Sequence, residues 1–385
     1  MDCIEVSLGS ICNRIGDGIH GTPVYDAKGD YYFFNGSNIV DGYLQSDNNT
    51  NCVNESEYFK HRRDLSSNTL LLSINGTIGN VARYNGEKCI LGKSVAYLNL
   101  RQNINRDFIY YVLKSSLFQE YIKNANGSTI KNVSLEMLRN YLFDLPSIED
   151  QNKIGFILTT FDNKINILRS INDNLSEQGQ AIFNELIING ESARVIKLTD
   201  IAHFQNGLPM QKNRPISGNG LPVLKIKELG QGHCDDSSER CREDIDNSVI
   251  INNGDVVFSW SGSLMAKIWC GGKCGLNQHL FKVTSENYPL WFYYYWLQYH
   301  MPNFIDIAAN KATTMGHICR NHLEDATISL PNPEVMKRAD SILSPLINCQ
   351  IKLMEETTQL INLRNYLLPK LMSGEIDVST LEIPN

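Results

Sequence analysis

Leu71-Leu72-Ser73-Ile74-Asn75-Gly76-Thr77-Ile78 is an apolar run ending in a turn dipeptide, and the chain writes it a second time. The copy is Val257-Phe258-Ser259-Trp260-Ser261-Gly262-Ser263-Leu264, roughly 185 residues on. Apolar residues followed by Asn-Gly or Ser-Gly read as a strand running into a turn. Two other anchors keep the same register. Leu8-x-x-Ile11 before Gly16 and Gly18 returns as Leu198-x-x-Ile201 before Gly207, and Asp144-Leu145-Pro146 returns as Ser329-Leu330-Pro331. Val6 to Gly190 thus reappears as Ile196 to Gly374. The period is far beyond the 20–50 residues of a solenoid, so it describes two whole modules, each followed by a long helix. That arrangement suits a molecule that reads two places at once.

The helices declare themselves by spacing. From Ile154 apolar positions step by four and three through Leu158, Phe161, Ile165, Leu168, Asn172, Leu175, Gly179, Ile182 and Leu186. Ser147 with Glu149 and Asp150 marks a start, and Gly190 a stop. Ile157, Ile167 and Ile171 widen the stripe, which predicts contact with more than one neighbour. The second copy steps through Leu343, Leu346, Leu353, Leu360, Leu367 and Leu371, with Pro345 expected to break it and Pro369 to kink it. About 35 residues at 1.5 Å each make a rod of roughly 50 Å. Neither rod buries its stripe alone, so the two are expected to pair antiparallel, through Phe161, Ile165, Leu168, Leu175 and Ile182 on one and Leu346, Leu353, Leu360 and Leu367 on the other.

Each module reads as α/β (α+β). Leu70 to Ile74, Ile78 to Tyr84 and Ala96 to Leu100 are expected strands, broken at Asn75-Gly76 and Asn85-Gly86. Arg106 to Ile122 is an expected helix with Leu290 to Ile307 as its counterpart. Four segments follow: residues 1–148, a first module; 149–190, a long helix; 191–331, a second module; 332–378, a second long helix and tail. Glu375-Ile376-Asp377-Val378 follows Gly374 as Arg194-Val195-Ile196 follows Gly190, so the end imitates the start of another copy. That implies a pseudo-twofold, pseudo-circular chain.

Length and composition bound the class. The chain has 385 residues, enough for two or three cores, and 42% hydrophobic with 20% charged residues is ordinary for a folded soluble protein. Met1-Asp2-Cys3-Ile4-Glu5 has no signal-peptide character, and no apolar run approaches a membrane span, so a cytoplasmic location is expected. The ten cysteines then read as reduced thiols. His233, Cys234, Cys241, Cys270 and Cys274 are a conceivable zinc set, but the first module has only Cys89 to match, and no metal is expected.

Enzyme motifs fail one by one. Gly86 to Ser94 is one residue too long for a phosphate loop, and its counterpart from Gly272 loses the Gly-Lys-Ser pattern. There is no Asn-Pro-Pro-aromatic motif and no Gly-rich cofactor loop after a strand. His20, His61, His203 and His300 are scattered. No catalytic residue and no cofactor of the chain's own is expected.

The duplicated module-plus-helix order resembles the DNA specificity subunit of type I restriction–modification systems over nearly the whole chain. Four stretches carry the resemblance: Ser73 to Gly79, a strand-turn; Gly127-Ser128-Thr129-Ile130-Lys131-Asn132-Val133, a loop closing the module; Leu145 to Ile154, a helix entry; and Leu367 to Ile376, a helix exit. The second copy departs from the pattern, with Lys311-Ala312-Thr313-Thr314-Met315 replacing Gly-Ser-Thr and Pro331 to Met336 lacking Glu-Asp-Gln.

The resemblance implies two target-recognition domains, each reading part of a split site on double-stranded DNA, with the helix pair as a ruler. It also implies two methyltransferase subunits docked on the helices and, in full complexes, two motor-nuclease subunits. S-adenosylmethionine, ATP and magnesium then belong to those partners. Alternatives are a recognition subunit of another restriction type, a nuclease or methyltransferase, and a structural coiled-coil adaptor.

Charge sharpens the expectation. Residues 1–148 hold 14 Lys+Arg against 15 Asp+Glu, residues 191–330 hold 13 against 14, and the remainder 8 against 13. Phosphate affinity grows with the cations presented, so a net charge of −7 requires that cations cluster or that partners supply them. Base edges favour Arg, Lys, Asn and Gln, and phosphates accept hydroxyls as well. The candidates in the first module are Lys60, Arg62, Arg63, Arg83, Lys93, Ser128, Thr129, Lys131 and Asn132. In the second they are Lys212, Arg214, Lys225, Lys267, Asn277, Gln278, His279, Lys311, Thr313, Thr314 and His317.

Overall fold

A computed structural model describes residues 3–124, 132–216, 218, 220–310 and 316–382. The chain divides into two compact units, Met1–Asn163 with Asn362–Asn385, and Lys164–Ile361. Each therefore holds one module and one end of both long helices.

In the first unit, strands Cys12–Asp17, Val95–Leu100, Thr69–Ser73 and Val81–Arg83 lie side by side in that order, all antiparallel. Thr69–Ser73 is buried throughout because both of its faces are covered. Leu70 and Leu72 join Ala96, Leu98 and the helical Phe108 in the larger core, while Leu71 joins Val95, Tyr97 and Phe34 in a smaller one. A three-stranded sheet, Cys52–Val53, Tyr31–Phe34 and Cys89–Leu91, adjoins it, the last two strands parallel. The strand expected from Ile78 begins only at Val81, because Gly79 takes φ +90° and its N–H turns back to Ser73 O. Cys89–Leu91 was not expected; it occupies the middle of the near-phosphate-loop pattern, leaving no loop to cradle a phosphate.

The helix expected over Arg106 to Ile122 is two helices, Arg106–Lys114 and Ser116–Asn124. Ser115 divides them: its Oγ donates to Val112 O at 2.7 Å and accepts from Phe118 N at 3.3 Å, closing one helix and opening the next.

The second unit repeats the sheet order with His203–Asn206, Leu280–Thr284, Val256–Ser259 and Met265–Ile268. Its helix Leu290–Asn310 is unbroken and packs Trp291, Phe292, Trp296 and Phe304 against Phe204, Phe258 and Phe281. Gly18 and Gly207 have the same task in the two units. Each starts a segment that pairs in parallel with another loop, Ile19 with Gly92 and Leu208 with Asn277. A Cβ there would lie 2.1 Å from Leu91 O or 2.3 Å from Asn277 O, so only glycine fits. The mixture of mainly antiparallel sheets with separate helices is α+β.

The first long helix runs Ile148–Phe183 and ends in a π turn, Asn184–Ile188. At Gly190 a Cβ would meet Leu186 O at 2.3 Å, which fixes the stop. The second runs Pro333–Met372 without interruption, so the break expected at Pro345 does not occur. An interior proline costs about 3 kcal/mol. Burying Leu343 and Ile347 on either side of it returns roughly 2 kcal/mol each.

The helices are antiparallel in each unit. In the second, Lys164 meets Glu356 at 3.3 Å, Gln350 Nε2 donates to Asn172 O at 3.4 Å, and Gly179 faces Leu346. In the first, Arg364 pairs with Asp162. Ile165 and Leu168 are buried; Phe161, Leu175, Ile182, Leu346, Leu353, Leu360 and Leu367 are half-buried. Ile157 packs on the first core, whereas Ile167 and Ile171 remain exposed.

Both helices also enter each core. Ile154, Leu158 and Leu371 lie in the first, and Phe183, Ile187, Ala339 and Leu343 in the second. The tail continues into the first unit: Val378 is fully buried there and Lys153 Nζ donates to Ser379 O at 2.7 Å. Strand Cys3–Ser7 pairs with Leu142–Pro146, and Ser192–Lys197 with Thr327–Pro331.

Candidate nucleic-acid interface

The same three segments meet at one end of each central sheet. One is the turn after the buried strand, one the turn before the last sheet strand, and one the residue that follows the closing loop. In the second unit these are Trp260-Ser261, Gln278-His279 and His317. Ser261 forms an isolated bridge with His317, and its Oγ lies 3.2 Å from His279 Nδ1. Gln278 Nε2 is 3.3 Å from His279 Nε2. The Trp260 ring lies 5.8 Å from the His279 ring and 6.4 Å from the His317 ring, an aromatic wall beside a row of donors and acceptors. Buried Asn277 supports the turn by accepting from His279 N at 3.2 Å.

The first unit builds this cluster with different side chains. Asn75 bridges Asn132, Ile74 N donates to Ser94 O, and Lys93 is exposed beside Ser94. Ser94 Oγ accepts from Gly36 N at 2.9 Å and donates to Asn35 Oδ1 at 3.1 Å, so it is held inward. Amides and a lysine here stand against two imidazoles, an indole and an amide there. Two clusters of one backbone plan and unlike chemistry present two different donor–acceptor patterns.

Other candidates are dispersed. Lys60 is exposed but pairs with Glu57 at 3.1 Å, and exposed Arg62 stacks over Phe59 at 4.9 Å. Arg63 is half-buried, and Lys212 and Arg214 are exposed. Lys225 binds Glu239 at 2.5 Å, a contact that holds the Glu239 carboxyl below the ordinary range. Lys267 donates to Gly230 O at 2.7 Å, and burial pulls its ammonium down. Ser128, Thr129, Lys131, Lys311, Thr313 and Thr314 lie outside the described residues.

Two expectations are corrected. Arg83 is only 9% exposed, paired with Asp107 at 2.5 Å and set over the Tyr110 ring at 3.6 Å. Burial opposes its charge, but Asp107 and Tyr110 outweigh that and hold the guanidinium above its ordinary value. It is an internal tie between sheet and helix. Asn277 is 7% exposed, and its side chain props the turn from within.

Trp260, Ser261 and Asn75 stand out in the sequence only as anchors of the repeat. The signal for them was the substitution of Trp260 for Ile74 within an otherwise matched motif. Cys234 faces Cys274 in the second unit, and all ten cysteines are free thiols. Among the described residues no group of three or more His, Cys, Asp or Glu side chains is placed to hold a metal ion, and no helix is long and apolar enough to cross a membrane.

This geometry defines a duplicated recognition scaffold, two like-built reading heads on a pair of helices. The type I restriction modification DNA specificity domain matches residues 2–177 and again residues 191–363, so the chain belongs to that family and carries its domain twice. The type I restriction enzyme MjaIX specificity subunit of Methanocaldococcus jannaschii is 24% identical over 344 residues, covering 81% of this chain and 78% of that one. The EcoKI specificity subunit of Escherichia coli is 26% identical over 230 residues, covering 52% and 47%. The crystal structure of a type I restriction–modification S subunit from M. genitalium matches with a TM-score of 0.57 at 17% identity, covering 97% of this chain and 96% of that one. At that identity the likeness is one of fold.

Proposed function

We propose that this specificity subunit reads a bipartite, asymmetric sequence on double-stranded DNA, one part with each module, and leaves the chemistry to partner subunits. The observation that carries the reading is the pair of equivalent clusters, Asn75-Lys93-Asn132 and Ser261-Gln278-His279-His317, set on one backbone plan with unlike side chains. Like scaffolds with unlike edges read different bases. The antiparallel contacts of the long helices in each unit support a spacer role, since half-sites on one face of DNA recur about every 34–36 Å. Exposed Ile167 (56%) and Ile171 (44%) on the first helix suit docking of a methyltransferase subunit. In this reading the chain is non-catalytic and cytoplasmic. Two methyltransferase subunits bring S-adenosylmethionine, and motor-nuclease subunits bring ATP and magnesium.

The test is to express the chain with its companion methyltransferase subunit in a host lacking other DNA methylation and to map modified bases genome-wide. A split motif with two dissimilar parts and a fixed gap is expected. A contiguous motif, a palindromic one, or methylation without sequence preference refutes the reading.

A further inference from the structure

A concave cleft of about 520 Å³ runs along the edge strand Cys12–Asp17 of the first unit, lined by Arg14, Arg63, Arg139, Asp17, Gly16 and Tyr97 among others. Its chemistry is concentrated. Three guanidiniums face it against one carboxylate, and that carboxylate, Asp17, is turned to His20 at 2.8 Å. Among the described residues none of the three arginines enters an ion pair. Arg63 spends Nε and one terminal nitrogen on Asp17 O and Gly18 O, both at 3.0 Å, and Arg139 spends one on Ile15 O at 3.0 Å. Arg14 is exposed beside the Tyr97 ring, its guanidinium carbon 5.9 Å from the centroid. A guanidinium has five N–H donors. Backbone bonds thus aim Arg63 and Arg139 while leaving most of their donors unused.

The place matters as much as the charge. Arg139 sits on the short helix Leu135–Asn140 that follows Asn132 directly, and Arg63 anchors the turn at the sheet end where Asn75 meets Asn132. The Asp17 end of the cleft therefore lies at the sheet end that carries the reading cluster, while Arg14, paired across to Asn99, extends the cleft along the edge strand away from it. The second copy serves as an internal control. Strand register puts His203 where the first module has Arg14, and the matching short helix, Arg320–Asp325, has exposed Glu324 where the first has Arg139. That edge lacks both cations, and its exposed Arg320 stands instead where the first module has the cleft-lining Leu135.

We propose that the Arg14–Arg63–Arg139 cleft is a phosphodiester-binding site that clamps the DNA backbone beside the first module's reading cluster, and that the second module has no equivalent at this edge. The inference rests on the DNA-reading function proposed above and adds which module anchors the duplex. Forked guanidiniums match phosphate oxygens in pairs, and such contacts fix register without reading sequence. A chain with net charge −7 thereby concentrates its phosphate affinity instead of spreading it.

The experiment measures duplex binding by the full chain in complex with its companion methyltransferase subunit across a salt series. Wild type is compared with Arg14→Gln, with Arg14→Gln/Arg139→Gln and with Arg14→Lys/Arg139→Lys. Each phosphate contact contributes about 0.9 to the slope of log K against log salt, so the double Gln variant should lose roughly 1–2 from the slope. It should bind roughly three- to ten-fold more weakly, alike on cognate and unrelated duplexes. The Lys pair should retain most of the slope. The single Arg14→Gln removes an exposed side chain with no backbone bond, so its loss of about 1 in slope is free of any folding effect. An unchanged slope in either Gln variant overturns the inference, as does a loss confined to the cognate duplex. A melting shift with inorganic phosphate that the variants abolish, with the DNA slope intact, indicates a small-anion site and also overturns it. Wild type that binds no duplex at all would instead remove the function on which the inference stands.

Discussion

Gly179 lies on the first long helix at a seam position, and a Cβ there would fall 2.0 Å from the hydroxyl of Tyr295 and 3.1 Å from Leu346 Cδ2. Tyr295 is 2% exposed and its hydroxyl finds no partner among the described residues, so the oxygen fills space at a cost. Two opposed effects follow for Gly179→Ala. Helix propensity favours alanine by about 1 kcal/mol. Overpacking a filled interior costs about 1–3 kcal/mol. The single variant should therefore be neutral to about 2 kcal/mol less stable. Tyr295→Phe removes a buried unsatisfied hydroxyl worth about 1–3 kcal/mol, so it should be neutral or stabilising. In the Phe background the worst clash is gone but ring Cζ and Leu346 Cδ2 still lie 3.0 and 3.1 Å from the new Cβ, so Gly179→Ala should cost less there than in the parent without recovering its full propensity gain. The coupling from the four-way cycle should then be about 1–2 kcal/mol, beyond the roughly 0.5 kcal/mol within which independent sites add. Urea unfolding followed by tryptophan fluorescence reads the second unit, since Trp291 and Trp296 lie in its core with Phe183. Additive effects within error refute the argument, as does a Gly179→Ala variant more stable than the parent.

Asp107→Asn should cost about 3–5 kcal/mol by leaving the Arg83 charge buried and unpaired. Arg83→Met should cost less, about 2–3 kcal/mol, because the Asp107 side chain is 34% exposed and water takes over. A reversed order in denaturant titrations would count against that tie. Glu57 is held below its ordinary carboxyl range by Val24 N–H and Lys60, so its contribution is full above the unfolded value and is lost as pH falls through the folded one. The protection factor of the Val24 amide should thus fall in the wild type as pH drops through the lowered Glu57 range, while Glu57→Gln should show weaker protection already at neutral pH. An acid-insensitive wild type contradicts this. Removing one heptad from each long helix, residues 166–172 and 350–356, should change the gap in the methylated motif and leave both halves as they were. An unchanged gap in the modified-base map defeats the spacer role.

The sequence exposed whatever repeats or is periodic. Leu8 and Ile11 with their copies Leu198 and Ile201 are all buried, as paired anchors should be. The heptad positions Ile165 and Leu168 are buried because only that face of the helix meets apolar neighbours. Prediction failed where one side chain or one distant contact overrides a local preference. Ser115 splits a helix with two hydrogen bonds that any serine could make elsewhere, and Pro345 is carried through one because Leu343 and Ile347 are buried around it. Cys89–Leu91 is a strand only because Tyr31–Phe34 lies alongside it, about sixty positions earlier in the chain. Site residues were the hardest. Arg83 and Arg14 look alike in sequence, yet one is locked between Asp107 and Tyr110 and the other lines an open cleft. Spatial neighbours decide that difference, and spacing does not record them.

The duplication itself explains why so much differs between the copies. A recognition head must keep its sheet and its turn geometry, and those depend on few residues: Gly18 or Gly207 at the close approach, Gly76 or Gly262 at positive φ, and the buried Ser73 or Ser259. Everything that faces outward from this frame is free to diverge. Lys93 can become Gln278, Asn132 can become His317, and Arg139 can become Glu324 without loss of a core contact. In the proposed reading, the mutational distance between one half-site and another is then a handful of side chains on turns the backbone already fixes. A change at Gln278 should accordingly shift the sequence read by the second module and leave that of the first untouched.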